Sequence, residues 1–271
     1  MTTLPDLLYA VWFAVVGPLI DYAFFWPAFR RRSQADPARA RRWLWAWAIG
    51  PAWALVAVGA ALWTRSGRSW TSFGFSVPDG WRLWTSIALF LLPAAYYVQA
   101  VATLARSPDA RASLRQQIGT LSAVTPHTRT ELYWFGGASL TAGFCEEFLY
   151  RGYFIWVFAP WLGWWGAAAL SLLLFAVGHV YQGWNGVLRT GVVGAFFTLV
   201  VAIFDSLWPA IALHALLDLS NGVFAWLALR DGRANGDVMD VEKPPETQSG
   251  SGVQSSPVQA EPGAPRDRGG R

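Results

Sequence analysis

The chain has 271 residues, of which 54% are hydrophobic and 14% are charged. Its 18 tryptophans and its low charge exclude an ordinary soluble globular domain and indicate a protein of the lipid bilayer. The net charge is only +4, and contact with lipid headgroups accounts for the arginines, so no nucleic-acid partner is expected.

Seven apolar runs are each long enough for a membrane-spanning helix, since about 20 residues cross the hydrocarbon core. The runs are residues 7–29, 43–63, 84–104, 132–158, 161–183, 187–204 and 207–229. The predicted fold class is therefore all-α, a polytopic membrane helical bundle of about seven transmembrane helices. The first run lacks a basic leader and a small-residue cleavage site, so we expect a retained helix rather than a signal peptide.

Arginines are distributed unevenly among the predicted connections. Six lie in the first connection, FRRRSQADPARARRW, and four more lie from Arg106 to Arg129, whereas the turns near Pro160 and Trp208 carry none. The positive-inside rule then places the first, third and fifth connections and the C-terminus in the cytoplasm, with the N-terminus outside. We therefore predict a multi-pass protein of the cell membrane.

Charge and composition divide the chain into three predicted regions. Residues 1–130 form N-terminal transmembrane helices and connectors, and Asp21 is the charge within those spans. Residues 131–229 hold the other intramembrane ionisable groups and form the predicted catalytic core. Residues 230–271 are rich in Gly, Pro, Ser and Gln, which predicts a disordered cytoplasmic tail. The connector SFGFSVPDG, before the third run, is predicted to be exposed at the membrane interface.

The stretch EEFLYR in the fourth run sets two carboxylates side by side among apolar residues. A charged side chain at the bilayer centre costs at least about 2.5 kcal/mol, so both carboxylates need compensation. Glu147 and Arg151 are four residues apart and share a helix face, which predicts an ion pair. Glu146 is rotated by about 100° from Glu147, so it is the carboxylate expected to be free for chemistry.

Two of the three histidines lie in later runs. His179 is in the run LSLLLFAVGHVYQG, and His214 shares a helix face with Asp218, one turn later. Membrane helices tolerate such groups where they meet one another or a water-filled cavity, so we expect these three residues and Glu146 to converge. His179 lies near the end of its run, and it reaches the others only if its helix continues past Gly183 or bends.

Three segments, EEFLYR, FAVGH and HALLD, follow one another in this order on successive predicted helices. They resemble the motifs of the CAAX-protease and bacteriocin-processing family (CPBP, also called Abi), which includes the type-two CAAX prenyl endopeptidases. The family pattern is Glu-Glu-x-x-x-Arg, Phe-x-x-x-His and His-x-x-x-Asn or Asp. The resemblance covers roughly residues 130–222. It implies a membrane-embedded endopeptidase whose partners are the bilayer and a membrane-associated peptide or protein substrate, lipidated substrates included.

The resemblance also implies which residues are catalytic: Glu146, Glu147, Arg151, His179, His214 and Asp218. Glu146 and His179 would activate the attacking water, and Glu147 and Arg151 would support the site.

His214 and Asp218 would stabilise the oxyanion of the reaction. An ionised aspartate cannot donate a hydrogen bond, and the prenyl endopeptidases usually have asparagine here, so Asp218 is expected to orient His214 instead. Glu146, His179 and His214 also form a ligand set suited to zinc with one open position. Both a zinc-dependent mechanism and a metal-independent glutamate mechanism stay open.

A non-catalytic membrane protein is the alternative that the same residues allow. An immunity or scaffold protein, or a proton-coupled transporter, would use the buried groups to hold helices together or to relay protons. The lack of an internal sequence repeat argues against a transporter. The presence of every motif position argues against a degenerate scaffold.

Overall fold

The computed structural model describes residues 2–230, and all regular secondary structure in this part of the chain is helical. The prediction of an all-α membrane bundle is confirmed. The predicted tail, residues 230–271, lies outside the described residues from position 231 onward.

The helices are numbered here in chain order. They are α1 Leu4–Ala35, α2 Pro37–Arg65, α3 Trp70–Phe73, α4 Gly80–Arg106, α5 Pro108–Ile118, α6 Arg129–Glu146, α7 Ile155–Gly178, α8 Gly183–Phe204 and α9 Trp208–Leu229. A π-helix, Glu147–Phe154, joins α6 to α7, and shorter π-helical turns interrupt α1 at Trp12–Val16 and Asp21–Phe25. The Glu147–Phe154 π-helix contains all but the first residue of the EEFLYR motif. Because π-helical turns often occur at functional sites, this position supports a functional role for the motif.

Within residues 2–230, six helical stretches are long and apolar enough to cross a membrane. One of them, Arg129–Gly178, has 50 residues, which is far more than a single crossing needs. It is broken at Gly163, whose φ of 66° and ψ of 165° are not helical and whose positive φ favours glycine. The break therefore divides the stretch into two helical segments, and it lies inside the fifth predicted run.

The N-terminus of α6 is fixed by a cap and by a distant ion pair. The Thr128 hydroxyl accepts a hydrogen bond from the Glu131 amide, and the Glu131 carboxylate accepts one from the Thr128 amide, which is a capping box. Arg41 of α2 donates two further hydrogen bonds to Glu131, at 3.2 and 2.8 Å, and both side chains are buried. The helix that leads into the EEFLYR motif is thus tied to α2.

Close packing of α9 against α6 brings the first and third motifs together. A Cβ atom added at Gly143 would lie 2.8 Å from the backbone nitrogen of Ala215, closer than real Cβ atoms approach. Glycine therefore permits this helix contact. Gly143 lies one turn before Glu146, and Ala215 follows His214, so the contact sets the distance between the two motifs.

A buried ionic cluster lies at the far end of the π-helix, and it is called here the Asp6 cluster: Thr3, Asp6, Arg68 and Tyr153. Arg68 donates to both carboxylate oxygens of Asp6, at 2.9 and 2.7 Å, and the Tyr153 hydroxyl donates to one of them at 2.6 Å. The Thr3 amide and hydroxyl donate to the other oxygen at 2.8 and 2.7 Å. Hydrogen bonding to Asp6 raises the pKa of Arg68 above its usual value. The cluster ties α1 and the connection after α2 to the π-helix.

The connector SFGFSVPDG is anchored in the core through Phe73. This side chain is 4% exposed, and its ring lies 4.6 Å from Phe148 and 6.2 Å from Tyr153. Nearby, the Leu207 amide donates to the Gly74 carbonyl at 2.8 Å. The prediction of an exposed interfacial loop is therefore wrong for Phe73, since an aromatic side chain that suits the interface also suits a helical core.

Candidate active site

The ion pair predicted from the spacing of EEFLYR forms inside the π-helix. Arg151 Nη1 donates to Glu147 Oε1 at 3.1 Å, and both side chains are almost fully buried. Arg151 Nη2 donates to the backbone carbonyl of Gly194 in α8 at 3.0 Å. The guanidinium also lies 4.3 Å from the centre of the Phe175 ring, within cation–π range. Arg151 therefore links the π-helix to both α7 and α8.

His214 of α9 is held by Glu147 rather than by its own helix. Its Nδ1 lies 2.9 Å from Glu147 Oε1, and because a carboxylate only accepts, Nδ1–H is the donor. The imidazole stacks on the Phe197 ring, with centroids 4.8 Å apart. These two contacts fix the ring, so Nε2 is the nitrogen left for other partners.

Two carboxylates flank His214 Nε2. Glu146 Oε2 lies 3.8 Å away and Asp218 Oδ2 lies 3.7 Å away, both beyond hydrogen-bond distance. The side chains of Glu146 and Asp218 are 29% and 33% exposed, whereas Glu147 is 0% exposed. The site therefore has a sealed half, centred on Glu147, and an open half at Nε2, where two partly exposed carboxylates make no hydrogen bond to the ring. Asp218 was expected to orient His214, but Glu147 makes the orienting hydrogen bond.

His179 lies at the end of α7, immediately after its last residue. The helix stops at Gly178, and a 3-10 turn at Val180–Gln182 leads into α8, so the chain bends at the histidine instead of continuing as a helix. Its Nδ1 donates to the Phe175 carbonyl at 2.8 Å, which leaves Nε2 without the proton when the ring is neutral.

One sealed atom of the site has no partner. Glu147 Oε1 accepts hydrogen bonds from both Arg151 and His214, while Glu147 Oε2 is buried and bonds to no group of the described residues. Buried polar atoms are nearly always satisfied, so an exception within a motif calls for a functional explanation.

Some contributors to the site carried no recognisable sequence pattern. The Gly194 carbonyl is a backbone group, and Phe197 resembles any other apolar residue of α8. Trp26 of α1 stacks on Tyr181, with centroids 4.0 Å apart, and so covers the bend beside His179. The local pattern of the sequence cannot reveal contacts between helices so far apart in the chain.

The predicted zinc ligands are Glu146, His179 and His214. Imidazole and carboxylate are suitable donors for zinc. Within residues 2–230, however, no group of three or more His, Cys, Asp or Glu side chains could hold a metal ion. In this arrangement, these three side chains do not fit a zinc site. Zinc therefore stays a prediction from the family resemblance, and the reaction is derived from the side chains alone.

Comparison with known proteins places the motif region in a family. No curated protein and no solved structure matches the chain. Residues 128–220 match the model of the family described as "Type II CAAX prenyl endopeptidase Rce1-like". This segment is about a third of the chain, and it contains the π-helix, the bend at His179, and His214 with its three carboxylate neighbours Glu146, Glu147 and Asp218. Over residues 128–220, the chain is therefore similar to the CAAX-protease (CPBP) family.

Proposed function

We propose that this protein is an intramembrane endopeptidase that hydrolyses peptide bonds of membrane-associated peptides or proteins with water activated by Glu146. The family match supports a protease at the level of the family. The observation that carries the proposal is the environment of His214, whose Nδ1 is fixed by Glu147 while Nε2 faces two partly exposed carboxylates. A site meant only to hold helices together would gain from closing these contacts of 3.7 and 3.8 Å.

Glu146 is the general base of the proposed reaction. Its carboxylate takes a proton from water while the water oxygen attacks the carbonyl carbon of the scissile bond. Its partial exposure admits water and substrate, and its position at the end of α6, directly before the π-helix, places it beside His214. Glu146 then gives the proton to the leaving nitrogen, and the C–N bond breaks to leave a carboxylic acid and an amine.

His214 stabilises the negative charge that develops on the carbonyl oxygen. In its doubly protonated form it donates through both nitrogens, Nδ1–H to Glu147 and Nε2–H to the oxyanion. A donor that is already oriented before the reaction lowers the barrier, because it pays no reorganisation cost in the transition state. Glu147 and Arg151 act through His214 as its fixed support.

His179 and Asp218 complete the open half of the site in this proposal. His179 Nε2 is an acceptor when Nδ1–H donates to the Phe175 carbonyl, so it assists Glu146 in orienting the water. Asp218 lies on the Nε2 side of His214 and contributes a second acceptor for the same water.

The substrate class follows from the place of the site in the membrane. Glu146 and His214 lie on helices long and apolar enough to span it, so the scissile bond must reach the bilayer. The family description supports a lipidated C-terminal peptide as the first substrate to test. The prenylated and unprenylated forms of one peptide, assayed side by side, distinguish a requirement for the lipid from a requirement for the peptide alone.

Hydrolysis of such a reporter peptide by detergent-purified protein tests the function directly. Wild type is compared with Glu146→Gln, with His214→Ala and with the control Asp79→Asn, whose side chain is exposed and makes no capping bond. We expect wild type and the control to cleave and both site variants to be inactive. Full cleavage by Glu146→Gln would contradict the mechanism, and no cleavage by any form would favour the non-catalytic alternative. Metal content and the effect of a chelator on the wild type test the zinc prediction.

The multi-pass arrangement leads to a proposed orientation. The exposed arginines at the end of α1 and the start of α2 favour placement of this end of both helices in the cytoplasm of a cell with an anionic inner leaflet: Arg30, Arg31, Arg32, Arg39 and Arg42. With seven crossings, the N-terminus is then outside and the C-terminus is in the cytoplasm. A reporter enzyme that is active only in the cytoplasm, fused to the C-terminus, checks this orientation.

A further inference from the structure

A cavity of about 280 Å³ opens at the end of the bundle opposite to the turn that carries His179. α8 begins at Gly183, directly after that turn, and runs away from it to Phe204. The cavity lies where α8 ends beside the part of α7 that follows the break at Gly163, and it is lined by Trp164, Trp165, Val201, Ala202 and Asp205. None of these lining residues takes part in the proposed mechanism.

Two tryptophan rings form perpendicular walls of this cavity. The ring planes of Trp164 and Trp165 are at 85° to each other, and their centroids are 4.7 Å apart. Trp164 is partly buried and packs against the core, whereas Trp165 is 62% exposed. The face of an aromatic ring is electronegative, and tryptophan attracts cations more strongly than the other aromatic side chains do. Two tryptophans at one accessible cavity therefore favour a cationic ligand, as in the aromatic cages that bind quaternary ammonium groups.

Asp205 adds a negative charge to the same cavity. Its backbone has a φ of 51°, and its carbonyl accepts a hydrogen bond from the Ser76 hydroxyl at 2.7 Å. Its side chain is exposed, and it makes no hydrogen bond or ion pair within the part of the chain that the structure describes. Arg82 is near this end of α8, because its neighbour Trp81 lies 6.4 Å from Phe204, but the guanidinium lies over the Trp81 ring instead of pairing with Asp205. The carboxylate therefore stays available to a bound cation.

The position of the cavity indicates a lipid headgroup as the source of that cation. α8 has 22 residues and is therefore about 33 Å long, close to the hydrocarbon thickness of about 30 Å. Val201 and Ala202 belong to its last turn, so the cavity lies at the level of the headgroups when α8 spans the bilayer. Exposed tryptophan suits this level. The turns on either side of the cavity, near Pro160 and Trp208, contain no basic residue that would compete for it.

We propose that this cavity binds the ammonium group of a zwitterionic phospholipid, choline or ethanolamine, between the two tryptophan rings and Asp205. The rings attract the cation, and the carboxylate balances its charge or accepts a hydrogen bond from a primary ammonium. The cavity is smaller than the roughly 300–1,000 Å³ of sites that enclose a drug-sized ligand, so it suits a single headgroup whose acyl chains stay in the bilayer. The site is independent of the proposed function.

Native mass spectrometry of the full-length protein in detergent tests this site, because it resolves the protein with and without a bound lipid. Phosphatidylcholine, phosphatidylethanolamine and phosphatidylglycerol with the same acyl chains are titrated into the wild type, Trp165→Leu, Asp205→Asn and the control Trp161→Leu. Trp161 is 59% exposed, close to the 62% of Trp165, and does not line the cavity.

We expect the Kd of the two zwitterionic lipids to rise about five-fold in Trp165→Leu and in Asp205→Asn, the loss typical of one partly exposed cation contact. In Trp161→Leu it should stay within about two-fold of the wild type, because an interfacial tryptophan outside the cavity does not touch the cation. Phosphatidylglycerol has no ammonium group, so none of the substitutions should weaken its binding.

An equal Kd for the zwitterionic lipids in Trp165→Leu and Trp161→Leu would overturn the proposal, because Trp165 would then be an ordinary interfacial tryptophan. An unchanged Kd in Asp205→Asn would overturn it as well, since recognition of the ammonium charge needs the carboxylate. Choline chloride, titrated as the free cation, distinguishes the two sources of an ammonium group. If it bound to the wild type and neither zwitterionic lipid did, the lipid would be the wrong occupant.

Discussion

The two ends of one π-helix hold buried ionic clusters that differ in how completely they are bonded. At the Tyr153 end, both oxygens of Asp6 accept hydrogen bonds from Arg68 and from Thr3 or Tyr153. At the Glu147 end, one carboxylate oxygen has no partner, and Glu146 and Asp218 stay partly exposed at 3.8 and 3.7 Å from His214. A fully bonded cluster can contribute stability alone, whereas a partly bonded one keeps the capacity to bind water and substrate.

Breaking the Asp6 cluster is expected to have the largest effect on stability. Asp6→Ala leaves Arg68 and Tyr153 buried without their acceptor, which should lower the free energy of unfolding by about 3–5 kcal/mol. Unfolding in detergent measures this, with Asp79→Ala as the exposed control. The folded fraction of Asp6→Ala should still bind and cleave the reporter. A change below about 1 kcal/mol, the range of exposed ion pairs, would mean that the cluster is not a structural clamp.

Forcing α6 and α9 apart is expected to have an intermediate effect and to reach the candidate site. Gly143→Ala places a Cβ atom against the Ala215 backbone, and overpacking of this kind costs about 1–3 kcal/mol. The hydrogen bond between His214 and Glu147 should lengthen, so kcat should fall more than the folded fraction does.

The control for this change is Gly137→Ala in the same helix, where the added Cβ meets Ile49 at an ordinary 3.5 Å. Gly137→Ala should have the same free energy of unfolding and the same kcat as the wild type. If Gly143→Ala were as active and stable as this control, the contact between α6 and α9 would not set the geometry of the site.

Replacing the open carboxylate is expected to have the smallest effect on stability. Asp218→Asn changes a side chain that is 33% exposed and 3.7 Å from its nearest ionic partner, so the free energy of unfolding should stay within about 0.5 kcal/mol. Activity should stay within about tenfold, or about 1.4 kcal/mol of barrier, because the amide keeps an acceptor oxygen in place. A destabilisation as large as that of Asp6→Ala would remove the difference between the two clusters.

The features predicted correctly from the sequence are those that follow from periodic patterns or from residues close together in the chain. Long apolar runs predicted the spans, because the bilayer imposes their length, and the four-residue spacing of Glu147 and Arg151 predicted their ion pair. Sequence reasoning missed the Asp6 cluster, whose members are separated by 62 and 147 positions and meet only after the helices pack. Nor did it predict the π-helix, and it left open whether the helix of His179 continues past Gly183 or bends, as the structure shows that it does.

The early end of α7 bears on how a hydrolase in lipid obtains its water. The part of α7 that follows the break at Gly163 ends at Gly178, so it is about fifteen residues or about 22 Å long. The hydrocarbon core of a bilayer is thicker, at about 30 Å. Exposed Trp161 and Trp165 suit an interfacial position for the break, which leaves the turn after His179 short of the opposite surface. The last carbonyls of a helix that stops there cannot be satisfied by acyl chains. For the proposed function, the turn that positions His179 is therefore also a place where backbone carbonyls can hold water within the thickness of the bilayer.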